Sequence, residues 1–163
     1  MDENGVAHFK MHDSKGAEMT KQILRRLKFD NDTMNKVVRL VQYHDYRMPA
    51  EPKNVRRAMN KIGEDLFPYY LEVRMADTLA QSEYMQEEKL QNIRDVKVCY
   101  EEILEKKECV SLKNLAITGS DLIASGMEPG KAIGEVLNKL LEYVIEYPEA
   151  NEKETLLRLK DEL

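Results

Sequence analysis

Apolar residues recur along this chain at three- and four-residue spacings, the pattern of helices that each bury one face. Thr20, Ile23, Leu24 and Leu27 line up on a helix predicted from Asp13 or Ser14 to about Lys28. Val37, Leu40, Val41 and His44 do the same on a second, from about Thr33 to Tyr46. A short third helix forms around Val55, Met59 and Ile62, and Gly63 ends it. Residues 66–84 predict the fourth. At roughly 100° per residue, Leu66, Tyr70, Val73, Asp77, Ala80 and Tyr84 fall on one line of it. Leu90, Ile93, Val96, Tyr100, Ile103 and Leu104 stripe a fifth, from about Gln86 to Lys106. Ile133, Val136, Leu137, Leu140, Leu141 and Val144 stripe another, opened by Glu128-Pro129-Gly130 and stopped by Pro148.

Polar and breaker residues punctuate these stretches. Asp30-Asn31-Asp32-Thr33 could hold magnesium as an Asp-x-Asp string, but between two helical patterns it reads as an N-cap. Met48-Pro49-Ala50-Glu51-Pro52 is a stop and a linker. After Glu108 the texture changes to short turns, with Ser111 as one cap, Gly119-Ser120-Asp121 as another start and Gly126 as a stop. Asn151-Glu152-Lys153-Glu154 resembles a capping box for a last helix over 152–162. Residues 1–11 read as extended or loop, with a turn at Asn4-Gly5. The expectation is an all-α protein of seven or more helices, without internal repeats. It should divide into a helical bundle over 1–108 and a smaller helical tail over 109–163. Leu66, Tyr70, Val73, Ile93, Ile133, Leu137 and Leu140 should be buried.

Charge narrows the function classes. The 163 residues carry a net −5, unevenly spread. Residues 1–80 hold 14 Lys+Arg against 12 Asp+Glu, or +2, and residues 81–163 hold 11 against 18, or −7. Any nucleic-acid contact must therefore be local. Cys99 and Cys109 match no zinc or redox spacing and read as reduced, cytosolic thiols. No apolar run is long enough for a membrane span, and no signal peptide is seen. Lys160-Asp161-Glu162-Leu163 has the form of an endoplasmic-reticulum retention signal, yet nothing would bring the chain there, so it reads as the charged end of a helix.

Two kinds of chemistry stand out. Asp77, on an apolar stripe, needs a cation, a donor or a metal. His12-Asp13 and His44-Asp45 stand at helix ends 32 and 33 residues apart from the next member, so only packing could join them to Asp77. Imidazole and carboxylate together suit zinc, iron, manganese or nickel. The plainer alternatives are a helix-end cap for each histidine and an Arg74 partner for Asp77. The second kind is anion binding. Arg56, Arg57 and Lys61 form a basic patch with Lys53 nearby, unless they pair with Glu64 and Asp65. The helix opening at Pro129-Gly130-Lys131 offers free backbone N–H groups and a lysine to a phosphate.

Taken together, His8-Phe9-Lys10-Met11-His12-Asp13, Leu24-Arg25-Arg26-Leu27-Lys28-Phe29, Val37-Val38-Arg39-Leu40-Val41-Gln42-Tyr43-His44, Val55-Arg56-Arg57 and Arg74-Met75-Ala76-Asp77-Thr78-Leu79-Ala80-Gln81 resemble an HD domain. The nearest likeness is the C-terminal half of bacterial CCA-adding tRNA nucleotidyltransferases. Leu115-Ala116-Ile117-Thr118-Gly119-Ser120-Asp121-Leu122-Ile123, Gly126 and Pro129-Gly130-Lys131-Ala132-Ile133-Gly134 resemble the tail that follows in those enzymes. The resemblance covers nearly the whole chain. It implies a C-terminal, tRNA-binding piece whose parent adds C, C and A using CTP, ATP and magnesium held in a separate head. The naming His-Asp doublet of HD domains is absent, and Met11 stands where the family often has Gly. A partial metal site at His12, His44 and Asp77 is implied, and the piece alone is expected to be inactive. The expected partners are tRNA and the parent's head, with a homodimer compatible and no membrane. The alternative is a metal-dependent phosphohydrolase that cleaves phosphate esters with metal-bound hydroxide.

Overall fold

A computed structural model describes residues 12–162. Its helices, in order, are α1 (His12–Arg26), α2 (Asn31–Tyr43), α3 (Pro52–Ile62), α4 (Phe67–Ala80), α5 (Gln86–Glu105), α6 (Gly119–Ala124), α7 (Lys131–Glu146) and α8 (Lys153–Leu159), with a 3-10 turn at Pro148–Ala150. No strand occurs among the described residues, so the protein is all-α. The loop and turn expected over 1–11 lie outside them. The chain forms two compact units, Met1–Arg47 with Asp65–Ile93, and Met48–Glu64 with Arg94–Leu163. The division falls inside α5, and everything from residue 109 onward belongs to the second unit, together with α3 and the end of α5.

In the first unit α1 packs along α2. Asp30 caps α2 by accepting from the Thr33 N–H at 2.9 Å, which also holds its carboxyl below the usual range. This is the capping role its position predicts. The stripe of α4 is rotated from the expected line. Phe67, Tyr70, Leu71, Arg74 and Thr78 are buried, whereas Val73 and Asp77 are half-buried and Ala80 is exposed. The helix ends at Ala80, so Tyr84 lies beyond it and is 62% exposed. The buried charge of α4 is therefore Arg74, not Asp77. Its guanidinium donates to the Tyr46 carbonyl at 2.7 Å and to the Tyr70 hydroxyl at 3.3 Å. The Tyr70 hydroxyl in turn donates to that same carbonyl, and burial pushes its pKa up. A buried cation is tolerated here because carbonyl and hydroxyl oxygens replace its water.

The second unit is built on α7. Leu140, Leu141, Val144 and Ile145 form a core with Cys109, Leu115, Ile117, Leu122 and Leu156, and Ile133, Val136 and Leu137 pack against its edge. Cys109 is a free thiol whose burial raises its pKa to about 11, so it stays protonated and unreactive. Gly126 closes α6 with φ 98°, a backbone state that side chains disfavour. The expected capping box at Asn151 does not form. Glu152 is the N-cap of α8 and makes no side-chain capping bond. Asn151 instead accepts from the Ala116 N–H at 2.8 Å and donates to the Asn114 carbonyl at 3.0 Å. Two backbone partners on the 114–116 segment satisfy this amide better than one cap bond could.

The real capping box belongs to α6. Thr118 accepts from the Asp121 N–H while the Asp121 carboxylate accepts from the Thr118 N–H at 2.8 Å. Asp121 also pairs with Lys153 of α8. The Lys153 hydrogen bond first, and the Thr118 donors next, hold the Asp121 carboxyl far below its ordinary value of 3.8. A carboxyl lowered by folding stabilises the fold above its unfolded pKa and ceases to do so as pH falls toward its folded one. Thermal unfolding followed from pH 7 to pH 2 should show this. Asp121→Asn is expected to flatten the decline below about pH 4. An acid limb identical in both proteins would show that this carboxylate does not couple to folding.

Candidate functional site

His12 opens α1 and His44 follows the last residue of α2, as its C-cap. Helix α2 stops at Tyr43, three residues before the predicted end, and this leaves His44 at the terminus. Gly16 faces Val41 of α2, where a Cβ would sit 3.4 Å from Cγ1, an ordinary contact distance. The two imidazoles meet edge to face, with Nε2 3.2 Å from Nε2. His44 Nδ1 donates to the Val41 carbonyl at 2.7 Å. That bond fixes the tautomer and leaves Nε2 of His44 with its lone pair free to accept. One nitrogen can donate to the other at this separation. Both can also ligate one ion, because two nitrogens at about 2.0 Å from a tetrahedral metal stand about 3.3 Å apart.

Asp77 does not complete this pair in the structure. Its carboxylate accepts from Gln81 Nε2 at 2.7 Å, one turn along α4. Among the described residues no group of three His, Cys, Asp or Glu side chains is gathered for a metal. The structure thus brings together two of the three expected ligands.

Three cations of α3, Lys53, Arg56 and Arg57, pair with acids of the second unit. Arg56 is buried, donating from Nε to the Ile145 carbonyl at 2.8 Å and from Nη1 to Glu108 at 2.6 Å. Arg57 pairs with Glu146 at 2.7 Å, and Lys53 pairs with the same carboxylate, so the acids that meet Arg56, Arg57 and Lys53 are Glu108 and Glu146. The Lys53 hydrogen bond is the main reason that the Glu146 carboxyl lies below its usual value. Only Arg57 and Lys61 of the patch are exposed. Arg56 turned inward because α3 buries Val55, Ala58, Met59 and Ile62, and position 56 lies on that side. A run of four cations in eleven residues gives no hint of this, since the acids lie 52 and 89 residues away.

The opening of α7 is arranged differently. Gly130 is the N-cap in extended backbone, and no side chain caps the helix. Pro129 lies just before it rather than in the first turn. A Cβ on Gly130 or Gly134 would meet no atom within 4 Å, and Lys131 is exposed. First-turn N–H groups, a lysine and an unobstructed approach are what an anion needs.

Comparison with known proteins follows the same lines. The family described as tRNA nucleotidyltransferase domain 2 matches residues 6–159. The A-adding tRNA nucleotidyltransferase of Deinococcus radiodurans is 30% identical over 152 residues, covering 86% of this chain and 32% of that protein. The CC-adding tRNA nucleotidyltransferase of Thermus thermophilus is 31% identical over 141 residues, covering 86% of this chain and 30% of its own. The CCA-adding enzyme of Limosilactobacillus fermentum is 45% identical over 49 residues, or 30% of this chain. The chain spans about a third of the length of the first two relatives. No solved structure matches at a comparable level of significance. Among the described residues no helix is long and apolar enough to cross a membrane.

Proposed function

Because the chain belongs to the tRNA nucleotidyltransferase domain 2 family, we propose that it is the tRNA-holding helical part of a nucleotide-adding enzyme. It works with a catalytic head that carries CTP, ATP and magnesium, and it acts in the cytoplasm. The observation that carries this reading is the match along residues 6–159, shared with relatives named for adding A or CC to tRNA. The grip on RNA is assigned to Gly130 and Lys131 at the opening of α7, with Arg57 and Lys61 at the edge. Arg56 supports the fold instead, since its charge is consumed by Glu108. A phosphate clamp of this kind reads backbone, not bases.

Lys131→Ala should weaken tRNA binding without changing thermal stability. The loss should shrink as salt rises, and the log–log salt slope should fall in magnitude by roughly one. Filter binding or fluorescence anisotropy at several salt concentrations measures both. Unchanged affinity and slope would remove α7 from the interface.

The 3.2 Å approach of His12 and His44 supports a second reading, an HD-type divalent metal site. His12 Nε2 and His44 Nε2 would supply two nitrogens, and Asp77 a carboxylate if its bond to Gln81 opens. Bound metal would supply a hydroxide for phosphate-ester cleavage. The combined His12→Ala/His44→Ala change should abolish retention of nickel or manganese through gel filtration, read by elemental analysis. Metal retained equally by the variant would rule the pair out.

A further inference from the structure

The end of α1 carries a run of cations that neither proposal above uses. Residues 19–29 contain Lys21, Arg25, Arg26 and Lys28 and no acid. All four cations are exposed, and none makes a side-chain hydrogen bond or ion pair among the described residues. The acids that follow are committed elsewhere, Asp30 to the cap of α2 and Asp32 to Lys36 at 2.7 Å. Glu18, exposed one turn before Lys21, bonds to neither Lys21 nor Arg25. On α3, by contrast, Lys53, Arg56 and Arg57 all meet acids.

The backbone here is defined by two bonds. The Lys28 N–H donates to the Arg25 carbonyl at 3.0 Å and the Phe29 N–H to the Leu24 carbonyl at 3.0 Å, the pair that closes a helix through a left-handed residue. That residue is Lys28, at φ 59°, where backbone sterics favour glycine. The lysine therefore adds its charge at a conformational cost. Lys21 and Arg25 stand one turn apart on one line of α1, about 6 Å along its axis. Offsetting the negative end of the helix dipole accounts for Arg25 and Arg26, in the last turn, but not for Lys21. The exposed apolar stripe of Met19, Ile23 and Leu27 lies about 180° around the helix from the Lys21–Arg25 line. A membrane that took the stripe would leave that line facing away from its headgroups. Cations in a row, unpaired and away from apolar surface, suit a polyanion with repeating charges. We infer that this end of α1 is a second, sequence-independent contact for the phosphate backbone of tRNA, made by Lys21, Arg25 and Lys28. That the polyanion is tRNA rests on the reading proposed above. The contact itself belongs to the first unit and uses no residue of the α7 opening.

Fluorescence anisotropy of labelled tRNA, titrated with the 163-residue chain at several salt concentrations, tests this. Lys21→Ala/Arg25→Ala is expected to weaken binding about tenfold at low salt and to lower the magnitude of the log–log slope by roughly two. Lys28→Gly should lower it by roughly one while raising the unfolding midpoint by about 2 °C, because glycine relieves the left-handed backbone. A lysine with a purely structural role would show the second effect without the first. Lys107→Gly is the control. Lys107 closes α5 at φ 53° through the same pair of bonds, but Glu101, Glu102, Glu105 and Glu108 surround it in sequence. Its replacement should raise the midpoint and leave tRNA binding unchanged. Unchanged affinity and slope in both α1 variants would overturn the inference, as would an equal slope loss in Lys107→Gly. So would binding to vesicles of phosphatidylcholine and phosphatidylserine that the α1 changes abolish while tRNA binding persists. Slope losses in the α1 variants with Lys131→Ala silent would remove the α7 clamp and keep this contact. The reverse result would keep the clamp and remove this contact, and a wild-type chain that holds no tRNA would remove both.

Discussion

Arg56→Ala is expected to lower the unfolding free energy of the second unit by about 3–5 kcal/mol. The Arg56 side chain is 6% exposed and that of Glu108 14%, so water screens the pair little. Truncation would leave the Glu108 carboxylate and the Ile145 carbonyl without their donor in a dry setting, which costs far more than the pair itself returns. The double change Arg56→Met/Glu108→Leu should recover most of the loss, since it removes both charges and keeps the volume. Urea denaturation, with amide exchange read along α7, distinguishes these outcomes. A loss below about 1 kcal/mol, the range of exposed pairs, would show that this contact is not structural. The consequence for function is direct. Any fall in tRNA affinity caused by Arg56→Ala should track the folded fraction, unlike the fall caused by Lys131→Ala.

Phe67→Ala should cost the first unit about 3–5 kcal/mol. Phe67 is 0% exposed and its ring lies tilted against Tyr70, centroids 5.3 Å apart. Truncation removes the largest apolar group at the start of α4 and leaves a cavity that a helix end cannot easily close. Phe67→Leu should cost clearly less, because most of the volume survives. Tyr84→Ala serves as the control. Its ring is 62% exposed, so the change should stay within about 0.5 kcal/mol. Thermal and urea unfolding of the three variants order them. A Tyr84→Ala loss as large as that of Phe67→Ala would restore the predicted stripe through residue 84 and refute the one described here.

That stripe shows where sequence pattern stops. Helix α4 exists because its residues repeat at helical spacing, and that much is local. Its rotation is not local. A line centred on Val73, Asp77 and Ala80 differs by about one residue position, roughly 100°, from the buried face, which keeps Leu66 and Tyr70 and adds Phe67, Leu71, Arg74 and Thr78. Both contain enough apolar residues to serve. The choice fell to the second because the Tyr46 carbonyl can accept from Arg74 and Tyr70 together. Asp77 was then free to bond its neighbour Gln81.

The helical class, seven of the eight α-helices to within a few residues, the cap at Asp30 and the stop at Gly126 were determined by the sequence itself. The physical reason is that spacing, capping and left-handed glycine act within a turn or two of chain. The family was legible too, through motifs spread over nearly the whole length. What only tertiary structure decided were the partners of charged and amide groups. Arg56 faces an acid 52 residues away, Asn151 bonds backbone 35 and 37 residues away, and His12 meets His44 across 32. Such pairings depend on which surfaces meet. Hydrogen bonds act within a few ångströms and screened charges within about 10 Å of space, so positions along the chain carry no record of them.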